Sequence, residues 1–291
     1  MRKITMENLT YKKETVYKRC DKAIVDAAYA YAEGYKTYLD ASKTERESVI
    51  EGIKLAEAQG FRPYSFGMEM KAGDKVYYNN RGKNLFLFTI GSENISNGIR
   101  ISVAHVDAPR IDLKQVPLFE DGGMAFFKTH YYGGIRKYQW LATPLALHGV
   151  IVKADGEGIN VCIGEDDSDP IFYINDLLPH LAADYNSKPL GSAIAGEKLN
   201  VLIGSVADDE SVKHNMLTIL NEKYGIIEED FLSAELSVVP AAKARDIGLD
   251  RSLIGAYGHD DRVCAYPALT SIFECADSEH TLMCILADKE E

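Results

Sequence analysis

Three polar clusters close apolar runs in this 291-residue chain, and each holds side chains that could bind a cation or move a proton. In His105-Val106-Asp107 an imidazole at a strand tip is a good metal ligand, and a carboxylate two residues on could orient its other nitrogen. In His259-Asp260-Asp261 two adjacent carboxylates at a helix start could serve two cations at once. In Asp288-Lys289-Glu290-Glu291 one carboxylate could bind a metal while its neighbour acts as general base toward a water. Each cluster also has an ordinary reading. These are a hydrogen-bonded strand end, an N-cap with a first-turn charge on the helix dipole, and a solvated charge cluster. Their order along the chain is the more specific signal, because a two-metal site needs several carboxylates plus histidine.

The elements that must position these clusters follow from periodicity. The first sixty residues read as helical. Ile24, Ala28, Tyr31, Tyr35 and Tyr38 step by four and three, which predicts a semi-aromatic stripe packed into the core. Thr44 and Glu47 form the capping-box pattern of a second helix, and Gly60 suits its left-handed stop. From Val76 the period changes. Val76-Tyr77-Tyr78, a turn at Arg81-Gly82 and the run from Leu85 to Phe88 predict two paired strands. Ile99 to Val103 is a third apolar run, which delivers His105 and Asp107. Further along, Leu236 to Val239 predicts a strand, Asp261 to Cys275 a helix despite Pro267, and Leu282 to Leu286 a buried strand leading into Asp288. Between these parts the chain changes character. Ala125 to Thr129 and Ala146 to Val152 alternate, Gly-rich turns divide them, and a hairpin is expected around Asp155-Gly156-Glu157-Gly158. A helix near residues 209–224 is the exception in this mainly β stretch, which interrupts an α/β frame with its site at the strand tips.

Composition removes several function classes. An excess of 44 acidic over 32 basic residues, net −12, without a Lys/Arg stripe, argues against a nucleic-acid partner. Five cysteines without CxxC spacing read as reduced thiols of a cytoplasmic protein. The charged N-terminal stretch has no apolar core of a signal peptide, and no apolar run approaches the ~18 residues of a membrane helix. The glycine pairs lack the lysine and context of a phosphate loop, and Ser205 and Cys264 have no base nearby by motif. His130, His148, His214 and His280 have no metal-type spacing and receive no role.

Beyond the three clusters, nearly the whole chain resembles the aspartyl aminopeptidase and vacuolar aminopeptidase I family of zinc metallopeptidases. The resemblance runs through AHVDAPRIDLK, KTHYYGGIRKYQW, PLALHGVIVKADG, DPIFYINDLLPHLA, GEKLNVLIGS and DKEE, in that order. It implies an α/β zinc-peptidase sandwich at 1–108 and 247–291, discontinuous and without its C-terminal part, interrupted by a mainly β dimerisation domain at 109–246. It implies a metalloaminopeptidase that hydrolyses the N-terminal residue from peptide substrates with two zinc ions. His105 would ligate one zinc and Asp260 would bridge both, with Asp261 following at a position the family often fills with Asn. Glu290 would be the general base, and Glu291 would ligate the second zinc. His180 matches a histidine that the family sends into the neighbouring subunit's active site, where it would help stabilise the oxyanion. The implied assembly is a homo-oligomer built from dimers, a dodecamer. His259 stands where an apolar residue is expected, which predicts an altered metal shell. The family's further Asp and last His fall beyond Glu291, so three of five expected protein ligands are present. Two alternatives accompany this reading. One is a two-zinc deacylase or carboxypeptidase, against which the KTHYYGG and LLPHLA segments argue. The other is an inactive truncated fragment or assembly subunit.

Overall fold

Thr44 opens its helix as the capping pattern predicts. In the computed structural model, which describes residues 10–275 and 278–291, the Thr44 hydroxyl accepts from the Glu47 amide and the Glu47 carboxylate accepts from the Thr44 amide. The start of the charged N-terminal stretch, residues 1–9, lies outside the described residues. Two long helices follow each other, α1 at Lys22–Ala41 and α2 at Glu45–Ala58. Gly60 adopts φ 82° just past the end of α2, a conformation glycine enters without steric cost.

Five strands form the first sheet: β1 (Arg62–Pro63), β2 (Lys75–Asn80), β3 (Asn84–Thr89), β4 (Ile99–His105) and, from the far end of the chain, β13 (Thr281–Ala287). Their order is β1-β2-β3-β13-β4. β13 is antiparallel to β3 and parallel to β4, with Ala287 in register with His105. Helix α4 (His259–Glu274) and α2 pack on this sheet through Leu269, Ile272, Val49 and Ala56, against Leu85, Leu87, Cys284 and Leu286. Complete burial of each large apolar side chain contributes roughly 1.5–3 kcal/mol. β4 forms one edge, where Ile101 and Val103 are exposed.

The second sheet has six strands: β5 (Arg110–Asp121), β6 (Met124–Tyr132), β7 (Leu145–Val152), β8 (Gly158–Ile163), β9 (Val201–Gly204) and β10 (Glu235–Pro240). It runs β8-β7-β10-β5-β6-β9 with every pairing antiparallel, and β7–β8 is the hairpin expected around Asp155. Helix α3 (Val212–Tyr224) covers part of it, and its core gathers Ile111, Leu145, Leu147, Val238, Ile226 and Phe231. Between β10 and α4 lies a small hairpin of β11 (Arg245–Ile247) and β12 (Leu253–Gly255). Helix α2 is tied to the second sheet by charge. Glu45 meets Arg110 at 3.2 Å, Arg46 meets Glu235 at 2.7 Å, and Glu47 meets His148 at 2.8 Å.

The stripe of α1 is core only in its second half. Tyr35 and Tyr38 are buried beside Tyr266, whereas Ile24, Ala28 and Tyr31 are exposed. Periodicity fixes which residues share a helix face, but not where along its length that face meets the core. All five cysteines are unpaired. Among the described residues no helix is long and apolar enough to cross a membrane.

Candidate metal centre

The parallel pairing of β4 with β13 brings His105 and the Glu290-Glu291 loop to one end of the sheet, and the start of α4 adds Asp260 and Asp261. Both aspartates depart from helical dihedrals, so regular helix begins only after them. Ligand atoms of His105, Asp260 and Asp261 all lie within 4.8 Å of one another. His105 Nε2 is 3.3 Å from Asp260 Oδ1, 3.9 Å from Asp261 Oδ2 and 3.6 Å from Glu290 Oε2.

The imidazole has one orientation chemically. Its Nδ1 lies 3.0 Å from the Asp107 carbonyl oxygen, which can only accept, so Nδ1 carries the proton. The Nε2 lone pair is then left facing the carboxylates. Asp107 is completely buried beneath this arrangement, with Oδ1 3.3 Å from His105 Nδ1. It accepts from the Tyr132 hydroxyl at 2.6 Å and from the amides of Glu290 and Glu291 at 3.3 and 3.2 Å. Burial alone would raise its pKa; these donors and the neighbouring imidazole bring it below the ordinary carboxylate value. For His105, burial disfavours the imidazolium. The Asp107 carbonyl and the charges of Asp107, Asp261 and Glu290 outweigh it and lift the pKa above the ordinary value. Asp260 and Glu290 present largely exposed carboxylates, 73% and 64% accessible, while His105 and Asp261 sit deeper.

One imidazole nitrogen and several carboxylate oxygens make a borderline donor set of the type zinc takes. A carbonyl-anchored histidine is the usual support of such a ligand. The residues fit the metal.

Of the residues singled out from sequence, His105, Asp260 and Glu290 come together here. Glu291 is outside the trio that shares ligand distances, with its backbone amide held by Asp107. Asp261, read as one of two adjacent carboxylates at a helix start and left without a ligand role by the resemblance, joins the trio. Its adjacency to Asp260 was the available signal. His180 lies in an exposed one-turn segment, Pro179–Leu181, in the connection between β8 and β9. His259 does not face the site. Its Nε2 donates to the Ile254 carbonyl at 3.1 Å, and its Nδ1 accepts from the Tyr35 hydroxyl at 2.8 Å. Both nitrogens are thereby engaged on the core side. Tyr132 had no local signal at all, since its contact with Asp107 crosses between sheets.

A cavity of about 460 Å³ adjoins the cluster, lined by Pro109, Ile135, Trp140 and Tyr257 and reaching Asp260. Arg136 and Lys243 stand in its wall.

Comparison with known proteins gives the family of the chain. The family described as aminopeptidase I zinc metalloprotease (M18) matches residues 38–291. A probable M18 family aminopeptidase 1 of Clostridium acetobutylicum is 50% identical over 287 residues, covering 96% of this chain and 62% of that protein. The crystal structure of the M18 aminopeptidase from Thermotoga maritima superposes with a TM-score of 0.90 at 42% identity, covering 97% of this chain and 62% of the other. Aminopeptidase I from Borrelia burgdorferi gives 0.85 at 36% identity, with 95% and 65% covered. The chain thus spans about three fifths of the length of these relatives. Over that length the α/β fold is shared, and the chain belongs to the M18 aminopeptidase I family of zinc metalloproteases.

Proposed function

We propose that this chain carries metal-binding and proton-transferring residues of an aminopeptidase that removes the N-terminal residue from peptides. The convergence of His105, Asp260, Asp261 and Glu290 at one sheet end carries the proposal. In this reading His105, Asp260 and Glu291 would hold zinc, two ions in the complete site, with Asp261 at hand beside Asp260. Bound zinc supplies polarisation of the scissile carbonyl and acidification of the attacking water. Glu290 takes the water's proton on its exposed carboxylate and delivers it to the leaving amine, a role worth roughly 10² to 10⁴ in rate. Asp107 keeps His105 in its Nδ1-protonated form. The cavity beside Asp260 receives the side chain of the N-terminal residue, and its size is within the range of small-molecule sites.

Residues 1–108 and 247–291 form the catalytic unit, and 109–246 an inserted dimerisation unit. The division of strands supports this, since one sheet draws on residues 62–105 and 281–287 and the other on 110–240. Around His180, Leu177, Leu178 and Leu181 are exposed. A second copy covers them, and His180 then acts in that copy's site on the oxyanion. The assembly is a dodecamer built from such dimers. Unpaired cysteines support a cytoplasmic location.

The test is Glu290→Gln assayed on aminoacyl p-nitroanilides, with zinc measured in the same sample. A loss of at least about 10² in turnover with unchanged zinc is expected. Hydrolysis at the parental rate would show that Glu290 is not the base.

A further inference from the structure

We infer that Tyr132, the last residue of β6, is a positioning residue for the metal centre and acts through Asp107. The inference rests on His105 being a metal ligand, as proposed above, and adds a support that comes from the other sheet.

Asp107 is the hub beneath the site. One of its oxygens accepts from the Glu290 amide and lies against His105 Nδ1. The other accepts from the Glu291 amide and from the Tyr132 hydroxyl. The carboxylate therefore sets the imidazole and the Glu290-Glu291 backbone together. Its own rotation is fixed by the shortest of these bonds, the 2.6 Å one from Tyr132. A hydroxyl donating to a carboxylate is charge-assisted and about twice as strong as a neutral hydrogen bond.

Tyr132 is itself held firmly. The Arg110 guanidinium lies 4.5 Å from its ring centre and the Lys289 ammonium 4.8 Å. Arg110 is anchored by Asp112 at 2.7 Å and Glu45 at 3.2 Å. Lys289 is the residue immediately before the Glu pair. The next residue of the other sheet, Gly133, presses on the same loop. At φ 71° it has the left-handed conformation, and a Cβ there would fall 2.6 Å from Glu291 Oε2 and 3.2 Å from Pro109 Cα. The end of β6 thus meets Asp107 through the Tyr132 hydroxyl and the Lys289–Glu291 loop through the Tyr132 ring and the Gly133 backbone. Loss of a partner that orients a metal ligand typically costs 10- to 100-fold in metal affinity.

The experiment is a Co²⁺ titration of the 291-residue chain, read by visible absorption and by competition with a chromophoric chelator. Tyr132→Phe keeps the ring and its cation contacts and removes only the hydroxyl. We expect roughly 10- to 100-fold weaker Co²⁺ binding and an altered Co²⁺ spectrum, with thermal unfolding close to wild type. Asp107→Asn should weaken binding as well, and the double variant should lose little beyond Asp107→Asn alone. Tyr131→Phe, next in sequence and exposed, should match wild type. His105→Ala separates the two levels. If it abolishes binding while Tyr132→Phe retains parental affinity and spectrum, the positioning role is overturned and the metal centre stands. If His105→Ala leaves Co²⁺ binding intact, the metal-centre assignment is wrong and the role of Tyr132 falls with it.

Discussion

His148 Nδ1 lies 2.8 Å from Glu47 Oε1, joining the middle of β7 to the first turn of α2. Its Nε2 is 3.1 Å from Glu165 Oε1. Carboxylates only accept, so both ring nitrogens donate and the buried ring is an imidazolium. Lys43 stands 3.8 Å from the same Glu165, and Cys162 also faces the ring. Burial opposes the charge, but Cys162, Glu165 and Glu47 outweigh it and push the His148 pKa up to about 11.

The sign of the resulting pH dependence is fixed. With the folded pKa above the unfolded one, the contribution is complete below about 6.5 and decays as pH rises through about 11. Glu47 works the other way. Burial would raise its pKa, but His148 and Thr44 hold it down, so its contribution is present above the unfolded value and lost as pH falls through the folded one. Urea unfolding from pH 6 to 11 should therefore show declining stability that is flattened in His148→Gln. An identical slope in the variant would rule out this pair as the source.

Arg262, two residues after Asp260, is buried and has backbone oxygens as its main partners. It donates to the carbonyls of Val106 at 3.0 Å and Lys43 at 3.2 Å, and to the Ser48 hydroxyl at 3.3 Å. It therefore ties the residue after His105 to the start of α2 and to α4. Arg262→Met strands two buried carbonyls at about 1–3 kcal/mol each, so a loss of roughly 2–5 kcal/mol in urea unfolding is expected. A change below about 1 kcal/mol would mean that these bonds are replaced by others.

For His180 the expected outcome is a split. His180→Ala should lower hydrolysis by about 10² to 10³, the range for losing one oxyanion donor, while sedimentation velocity gives the parental assembly. Parental activity in the assembled variant would remove His180 from the reaction.

Much of the frame was legible because it rests on local chemistry. The Thr44–Glu47 box, the Arg81-Gly82 turn and the apolar runs ending at His105 and Leu286 all appear as expected. β5 was less legible. Its alternation through Ile111 and Leu113 breaks where Val116 takes φ 48° and the register slips before Leu118, so one strand looks like two fragments. What escaped was long-range. His148 has no metal spacing because its partners are carboxylates 101 and 17 residues away. His259, expected to alter the metal shell beside Asp260, is turned inward by Tyr35 and Ile254. Asp261 carries the same carboxylate whether it caps a helix or meets His105, and only the pairing of distant strands decides between them.

The central claim is that His105 and Asp260 hold zinc. Zinc affinity by chelator competition, on the wild-type chain and on His105→Ala and Asp260→Asn, tests it most directly. The account predicts that the wild-type chain binds zinc and that each variant binds it at least about tenfold more weakly, since even supporting residues cost that much. Equal affinity in all three proteins would contradict it.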